Sequence, residues 1–248
     1  MIGHGKELPS EDCFVLALIS QRRCEVSMTW FVVIVTLAIA GYIGFHILLL
    51  SMFSQIGRAR FLVADDRQTA IYLSESFQKG KVDPQWLESV GLIPENGYKP
   101  ESFPGANFML VWSLEYEATY ALLLFSADEK VKRFVYTTFQ DFDLKTSDDA
   151  SELRFPTAPD QLLQTFDAAS FNELWIHHQK TVEQFKQQGQ KPVTRFPSFG
   201  EAAEANTHKQ IAYLRSRWGW WLILPIQALI PNTTRHNVPV PAQVPRRT

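Results

Sequence analysis

Glu173 with His177, and Glu204 with His208, stand four residues apart on segments that read as helices, so each pair shares a helix face. Carboxylate and imidazole are ligand types that first-row divalent metals accept, and the four groups brought together would make a metal site. Two features weigh against it: di-iron carboxylate bundles use a spacing of three rather than four, and both glutamates stand in or near helix N-termini, where a carboxylate is favourable anyway. His178 falls on an apolar stripe and reads as a core histidine with its hydrogen bonds met. Asp141, Asp143, Asp149 and Glu152 can be laid on the first, third, ninth and twelfth positions of a calcium loop. Lys145 at the fifth position and Thr146 where glycine is needed break that pattern, and a solvated acidic loop is the plainer reading.

Asp141-Phe142-Asp143 also resembles the Asp-x-Asp of metal-dependent glycosyltransferases, which are often single-pass proteins. With 11 Asp in 248 residues, chance alone supplies about half such a pair. No βαβ nucleotide-binding pattern precedes it. The chain has no phosphate-binding glycine loop, dinucleotide fingerprint, zinc-protease helix motif, serine nucleophile elbow or Cys-x-x-Cys. Its two cysteines, Cys13 and Cys24, lie within the first 27 residues, so the rest of the chain carries no thiol chemistry. No catalytic residues and no cofactor are expected.

The elements that would have to position any site begin with a long apolar segment. Between Glu25 and Arg58 there is no Asp, Glu, Lys or Arg. The densest part, Trp30 to Phe53, would extend about 36 Å as a helix, enough for a hydrocarbon core of about 30 Å. A transmembrane helix over residues 29–53 is therefore predicted. A secretory signal ending at Ala38-Ile39-Ala40 is disfavoured because the apolar run continues well past it, and a core helix with no polar face suits so small a domain poorly. Residues 1–28 read as a poorly ordered tail, or as untranslated sequence if Met28 is the start. Arg22 and Arg23 before the segment stand against Arg58, Arg60 and Arg67 after it, which places the C-terminal domain in the cytoplasm. Thr36, Ala40 and Gly44 make a stripe of small residues that predicts a homodimer through the helix. His46 has no second ionisable group in the segment to work with and reads as a neutral helix-contact residue.

Residues 54–217 read as one α+β domain. Ala59 to Gln78 is predicted to be a helix, and Asp83-Pro84 starts a short one by capping and N1 preference. The Pro- and Gly-rich stretch Leu92 to Ala106 reads as a loop. Three runs within residues 107–139 are rich in β-branched and aromatic residues and predict a three-stranded antiparallel meander. Its middle run, Tyr120 to Phe125, is apolar at both parities, so it belongs at the sheet centre under helices on both faces. A short helix is expected over Asp160 to Ala169. Ser170-x-x-Glu173 and Ser198-x-x-Glu201 are capping boxes opening two more, the first with Phe171, Leu174, Trp175, His178, Val182 and Phe185 on one stripe.

The total charge of −2 hides an asymmetry: residues 205–248 hold six Lys or Arg and no acid, the rest 18 basic and 26 acidic residues. Within the basic end, residues 218–231 form an apolar segment with Trp218, Trp220 and Trp221, flanked by Arg215, Arg217 and Arg235 and followed by a Pro/Arg-rich tail over 232–248. It is too short to span a bilayer, but aromatic and basic residues suit the headgroup interface; packing into the core is the competing reading. The aromatics lie in one continuous run rather than among the basic residues, so no nucleic-acid partner is expected. The sequence thus reads as a single-pass, membrane-anchored, non-enzymatic binding or scaffold module with membrane lipid and a protein of unknown kind as partners. A tethered metal-dependent enzyme is the alternative.

Overall fold

The computed structural model describes residues 11–102, 105–128, 130–168, 170–194 and 198–222, and the chain divides into two compact units, residues 1–48 and 49–248. Helix α1, Glu11–Ile56, runs through the first unit and ends in the second. Its stretch Met28–Ile56 has a mean hydropathy of 2.4 and is long and apolar enough to cross a membrane. Large apolar side chains on every side of it are exposed, Trp30, Phe31, Ile34, Leu37, Ile39 and Ile43 among them. Thr36 donates its hydroxyl back to the Val32 carbonyl (2.8 Å), and a Cβ added at Gly44 would meet nothing.

The second unit is α+β, built on one seven-stranded sheet whose strands lie side by side in chain order. The strands are β1 (Arg60–Val63), β2 (Ile93–Glu101), β3 (Ala106–Ser113), β4 (Thr119–Ser126), β5 (Val131–Thr138), β6 (Asp143–Ser147) and β7 (Gln161–Thr165). β1 to β6 are antiparallel neighbours, and β7 returns parallel to β6 after a crossover through residues 148–160. The predicted three-strand meander is therefore the middle of a larger, mixed sheet. β4 is its fourth strand and nearly all of its side chains are buried, as the apolar parity of Tyr120 to Phe125 requires.

Alternation along the strands feeds two cores. Phe108, Leu110 and Trp112 of β3, Ala121 and Leu123 of β4 and Val135 of β5 face one side. There they meet α2 (Asp66–Gln78), α3 (Pro84–Ser89) and α4 (Phe171–Gln187). The opposite parity, including Val111, Tyr120, Leu122, Phe134 and Tyr136, faces α5 (Phe199–Ser216) through Phe199. Each fully buried aromatic or aliphatic side chain of these layers contributes about 1.5–3 kcal/mol relative to exposure. The α4 stripe read from the sequence is buried in full. Ser170 and Ser198 cap their helices as the capping boxes predict, their hydroxyls accepting the N–H groups of Glu173 and Glu201.

Helix α1 already begins at Glu11, inside the stretch read as a tail, and three segments of the second unit also differ from their sequence readings. The predicted helix from Ala59 starts only at Asp66: the Asp65 carboxylate accepts the Gln68 N–H, and the preceding Arg-Phe-Leu-Val pairs with Tyr98 to Glu101 as β1. Leu92 to Ala106, read as a loop, contains β2. Its Pro94 lies beyond the four residues that β1 covers and next to a register shift ending at Gly97, positions where a missing N–H is tolerated. Asp160 to Ala169, read as a helix, contains β7 instead, whose Gln164 is drawn into a buried tertiary hydrogen-bond network.

That network runs under α4 across four strands. Thr119 and Thr137 are 2.9 Å apart, the His178 ring bridges Thr137 (2.8 Å, Nε2) and Thr146 (2.7 Å, Nδ1), and Gln164 donates to Thr146 while accepting from Thr181. All six side chains are buried. A neutral His178 donates through one ring nitrogen and accepts at the other, so one of Thr137 and Thr146 accepts from the ring and the other donates to it. In either neutral tautomer the ring satisfies both threonines and links the strands through one chain of bonds. Burial pushes the His178 pKa down to about 3, so this neutral form persists well below neutrality.

Candidate functional site

Helix α5 is pinned across the sheet by polar side chains rather than by a broad apolar stripe. The Glu95 carboxylate accepts the Phe199 N–H at the start of the helix (2.8 Å) and also the Tyr98 hydroxyl (3.0 Å). Burial and that carboxylate together push the Tyr98 pKa up to about 12. Further along, Glu204 accepts the Phe61 N–H of β1 (2.9 Å), and Gln210 accepts the Ala158 N–H while donating to the Pro156 carbonyl, each at 2.8 Å. Lys209 pairs with Asp160.

Held in this way, α5 leaves a cavity of about 370 Å³ against β5 to β7 and the last two turns of α1. Its walls are mostly apolar, with Met52, Phe53 and Ile56 from α1, Leu163 from β7, and Ile211 and Leu214 from α5. Its polar lining includes Tyr136, Asp143 and Asn206, together with the Lys145–Glu152 pair. A second cavity of about 380 Å³, lined by Gln140, Asp141, Glu201 and Lys209, also reaches Tyr136, Asp143 and Asn206. Asn206 donates through Nδ2 to the Tyr136 hydroxyl (3.1 Å), while its Oδ1 is buried and meets no donor. Burial raises the Asp143 carboxyl above its ordinary range, opposed by the Tyr136 and Thr138 hydroxyls. Burial also holds the Tyr136 phenol well above its ordinary value, with the Asp143 carboxylate adding to the effect.

The metal candidates are not brought together. Among the described residues no three His, Cys, Asp or Glu side chains are grouped to hold a metal ion. Glu204 is committed to β1, and His177 stacks on Phe166 with ring centroids 4.1 Å apart. A fully buried peptide N–H deprived of its acceptor costs about 1–3 kcal/mol, and this one is partly buried on an edge strand. Glu204→Ala is therefore expected to destabilise the chain by about 1 kcal/mol in urea unfolding. Glu204→Gln, which keeps the carbonyl acceptor but is a poor metal ligand, is expected to restore most of that.

Two of the four carboxylates of the calcium-loop reading, Asp149 and Glu152, already have cationic partners, as does the neighbouring Asp148. Lys132 pairs with Asp149, Lys145 with Glu152, and Arg133 holds Asp148 through both its backbone N–H (2.9 Å) and its guanidinium (3.0 Å). The acidic run after β6 is thus a set of ion pairs locking the crossover to β5 and β6. Of the Asp-x-Asp pair, Asp143 opens β6 beside Tyr136, while Asp141 lies with Gln140 and Lys209 in the second cavity.

At the end of α5, Arg215 lies beside Gly57, where an added Cβ would come within 3.3 Å of its guanidinium. Arg217 donates to the Tyr213 hydroxyl (2.8 Å) and lies over that ring. Trp218 is 94% exposed, Trp221 is exposed, and Trp220 packs half-buried on Phe53, Ile211 and Leu214. Arg235 lies outside the described residues. Tyr136 and Asn206 were not legible as site residues: each is an ordinary member of its strand or helix until α5 is laid across β5. Comparison with protein-family models, with curated proteins and with solved structures gave no match.

Proposed function

We propose that this chain is a single-pass, membrane-anchored binding module that works without catalysis. In this reading α1 crosses the bilayer and the α+β domain of residues 54–217 stands on its cytoplasmic face. The observation that carries the reading is the Met28–Ile56 stretch, apolar on all sides and exposed along most of its length. Water would leave this surface uncovered at a cost of about 25 cal/mol per Å², whereas a bilayer covers it at no expense in charge, since the stretch contains none. Arg58, Arg60 and Arg67 come after it and favour the cytoplasmic side.

The end of α5 supports a second contact with the same surface. Arg215, Arg217, Trp218 and Trp221 are exposed, and Trp220 packs beside Phe53 at the end of α1, so aromatic and cationic groups gather near Arg58. Cationic side chains near an anionic leaflet gain about 1 kcal/mol each, and Arg235 and residues 218–231 belong to the same proposed interfacial element. Homodimerisation through Thr36, Ala40 and Gly44 belongs to this reading too, as does a protein partner alongside membrane lipid.

Anchoring is tested by alkaline carbonate extraction of membranes containing the full chain. The chain is expected to stay in the pellet and to enter solution only with detergent. Each arginine at the centre of a span costs about 2.5–3.5 kcal/mol on insertion, so Val35→Arg with Ile39→Arg is expected to move most of the protein to the carbonate supernatant. Release of the unaltered chain by carbonate alone would refute the anchor.

A further inference from the structure

We infer that the cavity between α5, β5 to β7 and the end of α1 binds a neutral, hydroxyl-headed single-chain lipid, its tail among Met52, Phe53, Leu163 and Leu214 and its head at Tyr136, Asp143 and Asn206. The inference rests on the membrane-anchored reading, which makes such a lipid available: residues 49–56, which supply one wall, close the apolar stretch of α1.

Shape and polarity give the amphiphile. A volume of about 370 Å³ lies within the range of about 300–1,000 Å³ typical of small-molecule sites. Its apolar walls end at a few convergent polar groups, and these groups also line the second cavity of about 380 Å³. A molecule with its tail among the apolar walls of the first cavity can bring a small polar head to Tyr136 and Asn206.

Charge and hydrogen-bonding capacity select the head. Asn206 Oδ1 is a buried acceptor without a donor, and a ligand hydroxyl supplies one. An anionic head would meet Asp143 directly, with Asp141 and Glu201 beyond it. Lys145 is paired with Glu152 and Lys209 with Asp160, so both nearby ammonium groups already have carboxylate partners. Fatty acids and phosphate-headed lipids are thus disfavoured, and a glycerol-type head, which donates through hydroxyls and carries no charge, fits.

The test uses the full chain in phosphatidylcholine nanodiscs, monolauroylglycerol with a diazirine in its tail, and mass spectrometry of the photo-crosslinked peptides. Saturable labelling of residues 49–56 and 206–214 is expected, displaced by unlabelled monolauroylglycerol and at least tenfold less effectively by lauric acid. Asn206→Ala is expected to weaken competition three- to tenfold, and Leu163→Trp, which fills the tail space, to abolish cavity labelling while near-ultraviolet circular dichroism confirms the fold. Labelling confined to residues 28–48, or equal displacement by lauric acid, would overturn the proposal even if Leu163→Trp fails to fold. Failure of the chain to enter nanodiscs at all would instead count against the anchor.

Discussion

Replacing His178 with alanine is expected to lower the unfolding free energy of the full chain by about 3–5 kcal/mol, read from urea titration in mild detergent at pH 7.5. The loss comes from two sides. Thr137 and Thr146 each lose a buried partner, at about 1–3 kcal/mol apiece, and a void opens beneath α4 where the ring had packed. The same residue also makes stability depend on pH. In the fold its pKa is pushed down to about 3, whereas in the unfolded chain it lies near the ordinary value of 6.5. Below 6.5 the unfolded chain takes up the proton first. His178 therefore contributes its full stability above that pH and loses about 1.4 kcal/mol per pH unit as the pH falls towards 3. Asp143 and Asp148 work in the opposite direction over the carboxylate range, because burial raises both and the fold then binds protons more readily than the unfolded chain. Comparing the chain with His178→Gln over pH 4–7 isolates the histidine. The unaltered chain is expected to lose stability more steeply on acidification, and parallel curves would show that the ring titrates freely.

Gly97→Ala is expected to be the second most damaging single change, costing about 2–3 kcal/mol in the same measurement. A Cβ at this position would lie 2.4 Å from Phe108 Cζ and 2.5 Å from Thr69 Oγ1. Neither neighbour can yield cheaply. Phe108 is buried and stacks on Tyr72 with ring centroids 4.0 Å apart, and the Thr69 hydroxyl is bonded to the Asp65 carbonyl. Restricting the unfolded chain would return only about 0.4–1 kcal/mol, less than the overpacking. Gly44→Ala, where an added Cβ meets nothing, is the matched control and is expected to leave domain stability unchanged.

These two residues also mark how far the sequence could be read. His178 was legible as a satisfied core histidine because it falls on the apolar stripe of α4, and the capping serines gave the helix starts, since caps and stripes are local patterns. Gly97 was hidden within a stretch whose prolines and glycines read as a loop. Its pairing with Leu110 is a long-range contact that no local pattern announces. β7 was missed for the same reason: Gln161 to Thr165 has little strand character of its own and is held by parallel pairing with β6 and by Gln164 in the His178 network. For the cavity, only Asp143 stood out in advance, and as part of a metal motif. Its actual neighbours, Tyr136 and Asn206, come from elements distant in the chain, so the site exists only once α5 crosses β5.

The membrane-anchored reading is tested most directly by thiol labelling from each side of a sealed membrane. Cys13 and Cys24 precede the apolar stretch and are the only cysteines in the chain, so Glu88→Cys, at an exposed position on α3, adds a single reporter on the domain. In sealed cells an impermeant maleimide is expected to label Cys13 and Cys24 and to reach the reporter of Glu88→Cys only after permeabilisation. Labelling of all three from the same side would contradict a single crossing by α1.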